Sequence, residues 1–493
     1  MTTAAYKQPL LEQAPTNKLS ARLWVHIFGA CLSGVQLGFH LCVIASVLTP
    51  VQRELKLCTS CAHDDESDAS LARCSCTNKQ LAVSICPLGA VCGALLGGIL
   101  SDIIGRRLSL MATDVCFLIA AAAMTLASPG TYGVAQFFAG RAIAGLGLGA
   151  AGAIASAYIA ELSPSATRGA LVQLNSFALC FGCLLAYPAA LIFGDARWRL
   201  TIALAAVPAA LQAAMLTCFH ESPAWLASRG GRRSAEEARA AADALGIPPV
   251  ENGQKGQGDT DNEEKEEKRK VGLLHSLCRT PLRHRRPLAL AMGIAFGHAA
   301  SGANAVLYYS RDVLSVAGMP DTNVRLANAG VGLIKFLGSA ASLCMVDRFG
   351  RRPLLLGGSL SMMICHFGLA YVLGAPPSAA NAALALGSLL FFILSWNLSW
   401  AGLMLTVTSE LMPQDIRGFG CGMAYCVYWL LSFLIASTFE SSFESFGVRA
   451  TFCAYGTFTG LALLFVLACV PETNGIVLGA VPSSGAGAAV RST

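Results

Sequence analysis

Long apolar runs separated by short polar loops set the pattern of this 493-residue chain. They fall at roughly 24–48, 81–101, 109–128, 133–160, 170–193 and 199–219. After a polar gap they resume at roughly 288–310, 326–346, 354–374, 379–408, 419–438 and 449–470. Each is close to or above the ~18–20 residues that let a helix cross a hydrocarbon core. Six plus six such runs predict an all-α membrane protein of twelve transmembrane helices in two six-helix bundles. The first run, starting near Trp24, lacks a small-residue cleavage site and reads as a retained span, not a signal peptide. Between the two sets lies one low-complexity stretch, Glu251 to Lys270, whose mixed charge and lack of aromatics predict a flexible or partly helical linker. The expected organisation is a tail over 1–23, a bundle over 24–219, a linker over 220–286, a bundle over 287–470 and a tail over 471–493.

Composition points the same way: 54% of residues are hydrophobic and 13% charged, about half the ~25% charge of a soluble domain. The net charge of +6 says little, but its placement says more. Arg106, Arg107, Arg168, Arg348, Arg351, Arg352 and Arg417 lie in alternate loops, whereas loops such as 129–132 and 375–378 carry no Lys or Arg. Positive charge marks the cytoplasmic side, so both termini and the linker are expected there. Cys58, Cys61, Cys74 and Cys76 cluster after the first run, on the opposite side, where disulfides persist. One or two bridges are the main reading, with a Cys-x-x-Cys zinc clip as the alternative. The other cysteines stand singly in apolar runs, as small hydrophobes. No cofactor is expected. The expected partners are the lipid bilayer and a small-molecule solute, with no nucleic acid and a monomeric chain. The plasma membrane and a vacuolar or lysosomal membrane both stay open as the address.

The two sets of runs carry the same words. Glu161-Leu-Ser-Pro-Ser-Ala-Thr-Arg168-Gly169 returns as Glu410-Leu-Met-Pro-Gln-Asp-Ile-Arg417-Gly418. Asp102-Ile-Ile-Gly105-Arg106-Arg107 returns as Asp347-Arg-Phe-Gly350-Arg351-Arg352, and Glu221-Ser-Pro is echoed by Pro471-Glu472-Thr. The offsets are 351 − 106 = 245, 410 − 161 = 249 and 472 − 221 = 251. A near-constant offset means that the second half repeats the first, as in the parallel halves of rocking secondary transporters. Arg–carboxylate bonds are strong and directional. These acids and bases are therefore expected to form a cytoplasmic latch that holds the bundles together in one state and parts in the other.

With these motifs in place, the chain resembles the sugar porter family of the major facilitator superfamily. The matching residues include Gly97 to Arg107, Gly140-Arg141, Tyr158-Ile-Ala-Glu161, Glu221-Ser-Pro-Ala-Trp-Leu226, Gly302-Ala-Asn304-Ala-Val-Leu-Tyr-Tyr309 and Pro471-Glu-Thr-Asn-Gly475. The resemblance implies a central site between the bundles and alternating access for hexoses or polyols. It also carries Asn304 and Trp429 over as sugar contacts. Other expected contacts differ: Ser176, His298 and Lys335 stand where the family has amides, and Leu405 where it has a tryptophan in the tenth helix. Lys335 raises an anionic or sugar-acid solute as an alternative. His40 stands where proton-coupled relatives carry an aspartate that pairs with the arginine matching Arg141, so a facilitator is expected, with coupling through a histidine and a merely structural histidine both left open. A non-transporting sensor is the rival of a different class; about 23 residues before the first span and 23 after Val470 argue for a carrier. An enzyme is not expected. Gly147-Leu-Gly149-Ala-Ala-Gly152 spells a dinucleotide fingerprint but lies inside an apolar run, where small residues serve close helix packing instead.

Overall fold

The computed structural model describes residues 20–58, 76–164, 167–229, 231–247, 284–376, 378–413 and 417–473. Among them, twelve helices are long and apolar enough to cross a membrane. In chain order these spans are Ala21–Leu55, Thr77–Ile104, Arg106–Thr125, Thr131–Leu162, Arg168–Phe193, Asp195–Cys218, Arg285–Tyr308, Asn323–Val346, Arg351–Leu373, Ala379–Leu411, Gly420–Phe446 and Val448–Cys469. Helices satisfy their own backbone hydrogen bonds, which is what hydrocarbon demands. The second span shows how sidedness is set: Leu96, Ile99 and Ile103 point outward and exposed, whereas Gly93 and Gly97 face the fourth span.

Spans one to six and seven to twelve form two bundles with the same internal packing. The first span packs on the fifth and the seventh on the eleventh; the third packs on the sixth and the ninth on the twelfth. Between the halves, the second span meets the eleventh and the fifth meets the eighth. Adding six to each number exchanges those two contacts, which is the signature of a twofold axis between bundles. This arrangement is the fold expected from the paired motifs.

Glycine makes the closest approaches possible. A Cβ on Gly149 would lie 2.0 Å from the Ala90 carbonyl oxygen, and one on Gly93 would lie 2.1 Å from that of Leu146. The Gly147–Gly152 string is thus a helix-packing face, with Phe117 against Gly147. Two further glycines turn the chain between spans. Gly105 (φ +97°) and Gly350 (φ +83°) occupy the left-handed region that L side chains avoid.

The expected linker is not wholly irregular. Helices Pro223–Ser228 and Arg232–Leu245 follow the sixth span, with Trp225 Nε1 donating to the Asp102 carbonyl at 3.1 Å. Amphipathic order explains the second one: Ala238, Ala241, Ala242 and Leu245 are its buried residues. The stretch Glu251–Lys270 lies outside the described residues, as do Cys61 and Cys74. Cys58 and Cys76 form a disulfide with Cα atoms 5.6 Å apart, joining the end of the first span to the start of the second.

Overpacking a tight helix contact costs about 1–3 kcal/mol. Gly149→Val should therefore lower the thermal midpoint of the purified protein clearly. Gly98→Ala, where an added Cβ meets nothing within 4 Å, should leave it unchanged or slightly raised.

Candidate functional site

Between the bundles lies a cavity of about 130 Å³. The first, fourth and fifth spans line it from one half, and the seventh, eighth, tenth and eleventh from the other. Ser176, His298, Asn304, Lys335 and Trp429 all lie on its wall, so the five candidates for solute contact come together. Leu405 lies there too.

Broken helices present several of these groups. The seventh span is interrupted at Ser301–Gly302, where Gly302 has φ +70° and a Cβ would press on the Tyr455 ring. Asn304 follows the break and donates to Tyr428 Oη at 2.7 Å and Ser432 Oγ at 2.9 Å. The tenth span carries a wide turn over Asn397–Ala401, a distortion that often marks functional sites. Asn397 donates back to the Ile393 carbonyl at 2.8 Å, and Cys180 approaches its Oδ1 across the cavity.

The wall is strongly aromatic. The His298 ring stacks on Tyr428 at 4.6 Å and lies 5.5 Å from Trp396; its Nδ1 is 3.0 Å from Met404 Sδ. Trp429 meets Tyr425 edge-on at 5.7 Å. Both indole N–H groups, of Trp396 and Trp429, are buried without a partner, as are Asn175 Oδ1 and Ser342 Oγ. Trp396, Tyr425, Tyr428, Asn175 and Asn397 were not among the residues expected from sequence. Trp396 puts an indole on the wall of the tenth span, nine positions before Leu405.

Lys335 crosses the middle of the molecule. From the eighth span its Nζ reaches Cys183 Sγ of the fifth at 3.1 Å and stands 3.9 Å from Cys42 Sγ of the first. It also lies 5.4 Å over the Trp396 ring. The ammonium thus reaches the opposite half from a residue that lines the cavity.

His40 and Arg141 are neighbours without a side-chain bond. Arg141 gives Nη1 to the His40 carbonyl at 3.0 Å and Nε to that of Ala82 at 3.1 Å. The His40 ring stacks on Phe117 at 5.0 Å, and neither ring nitrogen has a partner.

At the arginine-rich face the described pairs among the expected charges form within each half. Arg106 binds Glu161 at 3.0 Å and Asp102 at 2.9 Å, and Ser222 Oγ donates to Glu161. Glu221 accepts from the backbone N–H of Arg106 (2.9 Å) and Arg107 (3.1 Å), a carboxylate seated on a helix N-terminus. Burial pushes the Glu221 carboxyl above its ordinary pKa, while those amides and that of Ser222 act in the opposite direction. The second half repeats this: Arg351 binds Glu410 at 3.2 Å, Thr473 Oγ1 donates to Glu410 at 2.5 Å, and Glu472 accepts from the backbone of Arg351 (2.9 Å) and Arg352 (3.1 Å). A Cβ on Gly105 or Gly350 would strike Glu221 or Glu472 at 2.3 or 2.7 Å. Among the described residues Arg168 reaches only the Ser163 carbonyl, at 3.5 Å; the side chains of Asp347 and Arg417 lie outside the described residues. Among the described residues, the charges expected to latch the bundles together form two clasps within them.

The ion pairs that do cross between halves are at the opposite face, and sequence reasoning missed them. Lys79 of the second span binds Glu440 at 2.6 Å and Asp312 at 3.0 Å, with side chains 1%, 8% and 10% exposed. Beside them Gln80 donates to Ser441 Oγ at 2.8 Å. Asp195 faces Arg311 at 3.5 Å and Arg325 at 3.6 Å. Cavity-lining Gln173 and Ser342 each lie five residues from the arginine-face motifs at Arg168 and Asp347, under two helical turns. The cavity thus extends toward the arginine-rich face and is sealed by buried charges at the other.

Two pseudo-symmetric six-helix bundles around a mid-depth polar cavity, shut at one face, define a secondary carrier of the integral, multi-pass kind. Residues 26–483 match the family model described as sugar (and other) transporter, and the chain belongs to that family. It is 31% identical to the D-xylose-proton symporter of Escherichia coli strain K12, covering 79% of this chain and 83% of the relative. It is 30% identical to the mouse facilitated glucose transporter member 8 of solute carrier family 2, over 80% and 83%. Its backbone superposes with a TM-score of 0.73 on a partially occluded, inward-open structure of the E. coli xylose transporter, which is 27% identical and covers 93% of this chain and all of that one.

Deleting one member of a buried ion pair strands the other charges and costs about 3–5 kcal/mol. Lys79→Met should therefore favour opening of the Lys79 face. Spin labels in the loops after the third and ninth spans should move apart on average, and an unchanged distance distribution would refute the clasp.

Proposed function

We propose that this protein carries an uncharged monosaccharide or polyol across its membrane by alternating access, with the arginine-rich face and both termini cytoplasmic. The observation that carries this reading is the cavity wall. It combines aromatic faces with neutral amides and hydroxyls, and five of its buried polar atoms, His298 Nε2 among them, lack a partner within the protein. Adjacent hydroxyls on a ring supply both donors and acceptors for such groups, and aromatic faces pack on its C–H surface. The relatives are named for D-xylose and glucose, which supports the same substrate class.

The Lys335 ammonium lies against Cys183 and Cys42 of the other half, and the contacts we assign to the solute are the neutral and aromatic groups of the wall. The residue contacts we assign are Asn304, Trp429, His298 and Ser176, with Asn175, Asn397 and Trp396 added to them. Placing the arginines inside makes this an inward-facing conformation: the cytoplasmic clasps are closed within each bundle and the outer charges hold the bundles together.

Uptake of radiolabelled D-xylose, D-glucose, myo-inositol and D-glucuronate into liposomes tests the proposal. Flux of a neutral solute is expected; selective flux of glucuronate would overturn neutrality, and binding without flux would indicate a sensor. Losing a hydrogen-bonding partner costs about 1–2 kcal/mol. Asn304→Ala should accordingly raise the KM of the transported solute roughly tenfold, with kcat changed less.

A further inference from the structure

A second polar site lies behind the cavity, among the first, third and sixth spans. Asp114 of the third span is fully buried. Its Oδ1 accepts from Gln36 Nε2 at 2.9 Å, and its Oδ2 is buried with no partner. The second amide hydrogen of Gln36 goes to Gln212 Oε1 at 2.6 Å, and Gln36 Oε1 is itself buried and unpartnered. Gln212 is fixed in turn by donating to the Gly29 carbonyl at 2.7 Å and Ser33 Oγ at 2.9 Å.

Among the described residues no cation pairs with Asp114. On the elements packed around the third span, the His40 ring of the first stacks on Phe117, about one turn along from Asp114; Cys86 of the second and Arg141 of the fourth are buried, with Arg141 turned to the Ala82 and Val83 carbonyls; the sixth offers the neutral Gln212. Arg141 gives one N–H from each of its three nitrogens to a backbone carbonyl. An isolated carboxylate at this depth is far too expensive to leave charged. A proton on Oδ2 cancels the charge and makes a donor of an atom that otherwise has no partner. The side chain already bound to Oδ1 also carries the unfilled acceptor, Gln36 Oε1.

We propose that Asp114 binds one proton in this conformation and releases it in the transport cycle, so that solute movement is linked to protons. The linkage rests on the carrier function proposed above; the bound proton does not. It replaces the expectation of a facilitator, which rested on position 40 alone. The first span is the wall between this carboxyl and the cavity. Leu37 and Leu41 line the cavity, while Gln36 and His40 face Asp114 and Phe117. Rocking of that span changes both sides together. In release, the Oδ2–H bond breaks and the proton passes to an unpartnered His40 nitrogen or to cavity water, leaving a carboxylate; rebinding reverses the step.

Two measurements decide this. Infrared spectra of purified protein at neutral pH, without solute, should show a protonated-carboxyl band in the wild type that Asp114→Asn removes. A band unchanged by the substitution overturns the bound proton. The neutral amide is close in shape to the protonated acid, and equal thermal midpoints would establish that the variant folds. In liposomes with a gradient of one pH unit, wild type should accumulate D-xylose up to about tenfold for one coupled proton. Asp114→Asn should still exchange D-xylose but reach a ratio near one. Accumulation by the variant equal to wild type, or exchange without accumulation in the wild type, overturns the coupling. If wild type exchanges neither D-xylose, D-glucose nor myo-inositol, the carrier reading itself fails, and the infrared result still stands or falls alone.

Discussion

One ammonium held between two carboxylates, nearly out of reach of water, joins the two halves of this molecule. Lys79 meets Asp312 and Glu440 from the other half at 3.0 and 2.6 Å. In a low-dielectric setting such a contact is strong once formed and ruinous to leave half-made. It therefore acts as an all-or-none lock: the bundles are either in register at that face or separated far enough for all three charges to be hydrated. The cavity at mid-depth lies between this ionic contact and the arginine-rich face.

The motifs at the arginine-rich face serve a different end. In each half a carboxylate sits on a helix N-terminus at a glycine turn, and an arginine from that turn binds a second carboxylate at the end of the half's fourth span. These bonds tie the short loops to the helix ends within a bundle. A rocking carrier needs each bundle to move as a unit, and internal clasps supply that rigidity without committing the molecule to one state. The string repeated in the sequence is thus first a device for holding each half together.

Much of the fold was legible because hydrocarbon is an undiscriminating solvent: any helix that crosses it must be long and apolar, and the sequence shows twelve. Duplication was legible because the turn chemistry of Gly105 and Gly350 admits few alternatives. The site was half legible. Asn304 and Trp429 sit in recognisable strings, and His298, Ser176 and Lys335 could be placed by register from them. Lys79, Asp312 and Glu440 were invisible as a group, because each looks like an ordinary charge near a span end and their meeting depends on the packing of three elements from both halves. Trp396 and Asn397 depend on the distorted turn in the tenth span, which period counting does not register. Asp114 left a signal that was overlooked: a lone carboxyl amid an apolar run, which is informative in a membrane protein.

Lys335 shows how the middle of such a machine can be both connected and free. Its ammonium bridges the halves, yet its acceptors are the sulfurs of Cys183 and Cys42, which are weak. A carboxylate in their place would lock the bundles at mid-depth as Lys79 locks them at one face, and the pivot would stiffen. Thiols and the Trp396 ring instead give the charge a soft, displaceable setting. The energetic cost of rearrangement then concentrates at the Lys79 cluster. A solute bridging the two walls of the cavity changes the equilibrium only by the difference between its affinities for the two states. Polar and aromatic groups from both halves, Asn175 and Ser176 on one side and Asn304 and Trp429 on the other, line that cavity.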